Sequence, residues 1–252
     1  MALVAIFSAV GATAQTPDSL QIPGVRNVKE HYLMQQGDSA FNVVDVNIQW
    51  PDSLGSDSVT ILKRCITACL LKQDTTNIRY ALEIFNNSCG TPVTGQLPFL
   101  PDDDRFCYIT VKGRVRSYEP GRWICYELLA KNEPQKRSRV RAADFYSIIT
   151  YDIRNHKILL PEHILDSKAI TAGDVDQTFY DALLAPLNDD QYYTMTNTDV
   201  KGVWLKREGV GLHVDSLTGD GFVTYEVEMG YDLVMPLLSR EAKKLTRGVR
   251  KE

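Results

Sequence analysis

Residues 107–130 read CYITVKGRVRSYEPGRWICYELLA, and this stretch decides the fold class. Cys107, Ile109, Val111 and Val115 alternate with Tyr108, Thr110, Lys112 and Arg114, the period of two of a strand with one face buried. Pro120-Gly121 supplies a turn, and Trp123 to Ala130 returns as a second strand, so the stretch is an antiparallel hairpin. Upstream, Val44, Val46, Ile48 and Trp50 alternate with Asp45, Asn47 and Gln49, and Pro51 ends the strand. Between these strands the period shifts. Leu62, Cys65, Ile66, Cys69 and Leu70 fall on one face of a helix that starts near Ser58, with Ser56 to Ser58 as capping side chains. Ile78, Ala81, Leu82 and Phe85 mark a second short helix.

Downstream, the segment 131–141 (KNEPQKRSRVR) is charged, holds Pro134 and shows no apolar period, which makes it the internal seam. Strands follow over Asp144 to Ile153 and Ile158 to Leu160, with a turn at Arg154 to Lys157 between them. Val175, Phe179 and Leu183 mark a helix ending at Leu184. Val210, Leu212 and Val214 define another strand; Val223, Tyr225, Val227 and Met229 define its partner beyond Gly219-Asp220-Gly221. Pro236 precedes a last helix. Hairpins outnumber strand-helix-strand units, so the expected fold is α+β, mainly antiparallel sheet with helices packed on it, in two small lobes. The expected division is a leader over 1–14, a flexible lead-in over 15–40, and lobes over 41–134 and 135–252.

The leader reading rests on Met1 to Ala14, an apolar run that closes in Ala12-Thr13-Ala14, the small-x-small pattern of a signal-peptidase site. Cleavage would leave Gln15 first and send the chain to the periplasm or the medium. No later stretch approaches the ~20 apolar residues of a membrane span. A net charge of -4 offers no footprint for nucleic acid. The one basic cluster, Arg240, Lys243, Lys244, Arg247, Arg250 and Lys251, lies on the last helix, where cations complement the helix dipole.

Five cysteines, Cys65, Cys69, Cys89, Cys107 and Cys125, would allow up to two bridges after export, with the pairing open. Cys65 and Cys69 share a helix face but lack further ligands at metal-site spacing and read as small apolar residues.

Enzyme motifs with required spacing, such as G-x-S-x-G, H-E-x-x-H and the phosphate-binding glycine loops, do not occur. His156 and His163 flank a short strand and suit turn and cap roles, while His213 alternates with Leu212 and Val214 and is expected on a solvent face. Asp102-Asp103-Asp104 lacks the glycine and distal glutamate of a calcium loop. Glu226 and Glu228 share a strand face and form a carboxylate pair that a glycan hydrolase could use. Trp123, Trp204 and the pair Tyr192-Tyr193 are the candidate ligand surface, as a platform for a sugar or peptide. Neither a cofactor nor a metal is expected.

The stretch Tyr146 to Leu165 (YSIITYDIRNHKILLPEHIL) resembles a hairpin of the RsiV-like extracytoplasmic domains, and Arg207 to Leu238 resembles their closing segment. Val44 to Pro51 with the following helix is similar to the domain that precedes it, of the PdaC type, as in secreted Bacteroidetes proteins. The resemblance implies an α+β fold of two lobes and, as in the family's best-understood member, recognition of lysozyme. Together with the leader and the missing enzyme motifs it leads to the expectation of a non-catalytic domain recognising a lysozyme-like protein or an envelope glycan, with a cell-wall or glycan hydrolase as the alternative. The family's Gly-Ala-His is replaced here by Arg141-Ala142-Ala143, so no contact residue carries over. Asp-Ser/Thr triplets at Ser19, Ser39, Ser53, Ser58, Thr75 and Ser216 resemble Bacteroidetes O-glycosylation sites.

Overall fold

The computed structural model describes residues 21–37, 40–93, 106–134, 145–166, 177–195, 197–219 and 221–249. The leader and Asp102 to Asp104 lie outside this set. Half-buried alternation produces strands β1 (Val25–Gln36) and β2 (Ala40–Pro51), joined as a hairpin with continuous register from Val25↔Pro51 to Gln36↔Ala40. Helices α1 (Thr60–Leu71) and α2 (Ile78–Cys89) follow, then β3 (Thr91–Pro92), β4 (Phe106–Glu119), β5 (Trp123–Pro134), β6 (Phe145–Asp152) and β7 (Lys157–Leu159). These seven strands form one sheet in the order β3-β1-β2-β4-β5-β6-β7. Of the pairings described, β2–β4 alone is parallel, and α1 and α2 lie within the long crossover that such a pair requires.

The remaining elements are α3 (Pro161–Ile164), α4 (Gln177–Leu184), α5 (Asp189–Thr194), β8 (Asn197–Leu205), β9 (Gly209–Thr218), β10 (Gly221–Gly230), α6 (Tyr231–Val234) and α7 (Arg240–Thr246). Strands β10-β9-β8 make a second, antiparallel sheet. The α+β expectation holds: strands predominate, most pairs are antiparallel, and helices cover selected faces.

β5 explains how two cores arise. Ile124, Tyr126 and Leu128 point to a core with Val44, Val46, Ile48 and Trp50 of β2, Leu62, Ile66 and Leu70 of α1, and Ala81 and Leu82 of α2. Trp123 and Cys125, on the opposite face, join a second core with Leu212 and Val214 of β9, Phe179 and Leu183 of α4, and Leu245 of α7. A strand buried on both faces loses polar alternation, as Trp123-Ile124-Cys125-Tyr126 shows. β6 and β7 lie beyond residue 135 yet hydrogen-bond into the sheet of β1 to β5.

Three sequence expectations need correction. Within the flexible lead-in expected over 15–40, residues Val25–Gln36 form β1; only Val28 and Met34 are fully buried, so the apolar period was faint. At the start of α1 the Ser56 to Ser58 stretch does engage the backbone, but through Asp57 rather than a serine: Asp57 accepts from Val59 N–H at 2.8 Å, and Val59 itself is αL (φ 48°). His213 is largely covered rather than solvent-facing, because β6 passes over it. The other helix, α2, has a side-chain cap: Asn77 accepts from the backbone N–H groups of Arg79 and Tyr80.

Candidate functional site

The chemically densest place is the junction between the two sheets. On β4, residues alternate so that Val111 faces the first core and Arg114 the second sheet. A bulge between Val115 and Ser117 leaves Arg116 as the extra residue and swings it to the same junction. Its guanidinium lies 4.1 Å from the centre of the Trp204 ring and reaches Glu226 on β10 at 2.5 Å and Glu127 on β5 at 3.2 Å. The Arg116 side chain is only 7% exposed. Arg114 bonds the same Glu127 carboxylate and stands 3.9 Å from Glu226. The Tyr146 ring packs against His213 with centroids 4.5 Å apart; His213 Nδ1 is 4.0 Å from Glu226, too far for a hydrogen bond. Tyr146 Oη and His213 Nδ1 are buried polar atoms without hydrogen-bond partners among the described residues.

This geometry fixes charge. The neighbouring His213 ring and, bonded directly, the guanidinium group of Arg116, with Arg114 beyond it, hold the Glu226 carboxyl down at about 2, against the opposing effect of burial. A carboxyl so strongly ionised cannot donate a proton as a general acid near neutral pH. Glu228, its partner in the sequence-derived pair, bonds Lys206 instead. Each glutamate is matched to its own cation, so the pair does not converge on a shared space, and the cluster works as an inter-sheet tie.

The predicted aromatic platform is divided. Trp123 and Trp204 are 0% and 2% exposed and belong to the second core, so as ligand-surface residues they are corrected. Burial on both faces of β5 takes Trp123, and the Arg116 stack takes Trp204. Tyr192 and Tyr193 on α5 are 44% and 82% exposed, with rings edge to face at 5.7 Å. His156 sits in a turn with φ 51° and His163 accepts from Leu160 N–H at 3.1 Å, the turn and cap roles expected. All five cysteines are free thiols. Ser216 is fully buried, which removes its triplet as a modification site in the folded chain.

A cavity of about 400 Å³ is an open groove on the outer face of β1, β2 and β4, opposite α1 and α2. Lys29, His31, Asp45, Asn47, Thr110 and Lys112 line it. His31 Nδ1 and Asp45 Oδ1 are 2.7 Å apart. Register places Asp45 between His31 and Thr110 across the three strands, so the histidine is not interposed between acid and hydroxyl as nucleophile activation requires. At the other end of this face Phe41, Val43 and Phe106 form a small apolar cluster. Sequence reading missed the groove because it lacked β1; Asp45 and Asn47 on the polar side of β2 were the available signal.

Fold and site together define an α+β protein in which, among the described residues, Glu226 and Glu228 are held in separate ion pairs and a polar groove lies open on one sheet face. No protein-family model matches the chain, and no curated protein matches it. Solved structures do. A DUF3298 family member from Bacteroides fragilis NCTC 9343 is similar with TM-score 0.58 and 10% identity, over 90% of this chain and 97% of that one. A DUF3298 family protein from Pseudomonas aeruginosa PAO1 is similar with TM-score 0.52 and 14% identity, over 86% and 95%. The chain therefore shares the fold of DUF3298 proteins along nearly its whole described length. Among the described residues no helix is long and apolar enough to cross a membrane.

Proposed function

We propose that this protein is a non-catalytic binding module, exported to the periplasm or the medium, with a lysozyme-like protein or an envelope glycan as its ligand. The observation that carries the reading is the groove on the uncovered face of β1, β2 and β4. Its Lys29, His31, Asp45, Asn47 and Lys112 side chains project from a rigid sheet and offer donors and acceptors to a large partner. Export rests on the Met1 to Ala14 leader, and the RsiV-like and PdaC-type readings rest on the resemblances in Tyr146 to Leu165 and Val44 to Pro51. Tyr192 and Tyr193 are a second contact surface of the same kind, being rigid aromatics in solvent.

The chain starting at Gln15 is titrated calorimetrically with lysozyme and with soluble peptidoglycan fragments, beside an Asp45→Lys variant. Saturable binding that weakens in the variant supports the reading. Absence of heat with every ligand, or turnover of the fragments by the unmodified chain, refutes it.

A further inference from the structure

A second cavity, about 270 Å³, opens between α7, the β6–β7 turn and the β4–β5 turn. Four cationic side chains line it, Arg122, Arg154, Lys157 and Lys244, against the carboxylates of Asp152 and Glu241. Both carboxylates are committed. Asp152 is buried and accepts the backbone N–H groups of Arg154 at 3.0 Å and Asn155 at 3.1 Å, and Asn155 Nδ2–H at 2.6 Å. Glu241 receives Lys157 Nζ on both oxygens, at 2.8 and 3.0 Å, and this pairing holds its carboxyl below the usual range.

The cations are less fully used. Arg122 Nη1 donates to the carbonyls of Leu245 at 2.9 Å and Arg247 at 2.7 Å. That fixes the guanidinium, and it neutralises the negative end of the α7 dipole, which would otherwise repel an anion. Its Nε and Nη2 stay free of hydrogen bonds among the described residues. Arg154 spends only Nε, on the Gly121 carbonyl at 3.1 Å. Lys244 Nζ makes no hydrogen bond or ion pair among the described residues, and Leu159 and Leu245 give the cavity an apolar floor.

Two positive charges are thus uncompensated in a pocket on a chain whose net charge is -4. We propose that this pocket binds a phosphate monoester. Such an ester carries close to two negative charges above a pKa of about 6 and three acceptor oxygens, matching two guanidinium forks and a free ammonium. The ester's carbon skeleton rests on Leu159 and Leu245. A soluble phosphorylated metabolite and a phosphorylated lipid headgroup present the same chemistry.

The whole chain is titrated calorimetrically with inorganic phosphate and glycerol 1-phosphate, with glycerol as the neutral control. It is also sedimented with phosphatidylcholine vesicles with and without phosphatidic acid. The expected result is saturable phosphate binding that tightens with the ester, falls with added salt, and weakens roughly tenfold in each of Lys244→Gln and Arg154→Gln. Retention on phosphatidic acid vesicles identifies the headgroup as the source; binding of glycerol 1-phosphate without retention identifies the soluble ester. Lys244 is exposed and makes no hydrogen bond or close ion pair among the described residues, so its variant keeps the fold and decides the matter even where Arg154→Gln loses it. No saturable binding of either phosphate, or an affinity unchanged by Lys244→Gln in a chain with native circular dichroism, overturns the assignment.

Discussion

Replacing Arg116 by methionine isolates the charge that ties the two sheets together. Methionine keeps the length of the side chain and a soft contact on the Trp204 ring, but it removes the partner of Glu226 at 2.5 Å and of Glu127 at 3.2 Å. Breaking a buried ion pair costs about 3–5 kcal/mol, because the remaining charge is stranded. Here the loss is smaller: the Glu226 side chain is 40% exposed and relaxes into water, and Glu127 keeps Arg114. A cost of about 2–3 kcal/mol follows. For a chain of this size each kcal/mol moves the melting midpoint by about 2–4 °C, so the expected drop is about 4–12 °C by circular dichroism. The pH dependence supplies a second readout. Glu226 has its folded carboxyl at about 2 against an ordinary 4.5, so its contribution is fully present above 4.5 and is lost as pH falls toward 2. Arg116→Met therefore loses less stability than the parent over that acid interval. Adding Glu226→Gln to Arg116→Met recovers part of the loss, since the stranded charge is then gone. A midpoint within about 2 °C of the parent, with an unchanged acid limb, refutes the tie.

Gly211→Ala places a Cβ 1.9 Å from Trp204 Cε2, and the ring cannot retreat because Arg116 stacks on it; overpacking of about 3 kcal/mol is expected in urea unfolding, relieved in part by Trp204→Leu. Asn77→Ala removes the side-chain acceptor at the start of α2 and lowers stability by about 1 kcal/mol, seen as a lower denaturation midpoint with unchanged slope. Tyr192→Ala with Tyr193→Ala weakens ligand binding in titration calorimetry while stability stays within about 0.5 kcal/mol of the parent, the response of exposed side chains outside the core.

The hairpin of β4 and β5, the strand β2 and both helices of the first core were legible because each buries one face and leaves the other in water, which imprints a period of two or 3.6. β1 and β8 were not. In β8 the first half (Asn197 to Lys201) alternates between exposed and partly covered positions and only Gly202 to Leu205 is buried, so no single period runs its length. The inter-sheet tie lay beyond sequence reading for a different reason: Arg116 and Glu226 are 110 residues apart, and a bulge rather than the strand period aims the arginine. The two tryptophans misled in the same way. On strands, an aromatic serves either a core or a ligand, and what decided for Trp123 and Trp204 was a second layer on the far side of the sheet.

That second layer also bears on where the proposed recognition would take place. Because β5 and β6 carry a core on each side, they have no free face to offer a partner. β1, β2 and the first half of β4 extend beyond the small sheet, with one face closed by α1 and α2 and the other left with Lys29, His31, Asp45, Asn47 and Lys112. A core needs no charged residue at such positions, and stability would be served as well by threonine or valine. A surface that must meet a large polar partner does need them, held at strand spacing by a sheet whose other face is fixed. Replacing Lys29 and Lys112 together by threonine should then leave the denaturation midpoint within about 0.5 kcal/mol of the parent and reduce ligand association, chiefly at low salt. Equal association by the parent and the doubly substituted chain at low ionic strength would remove the groove from the recognition surface.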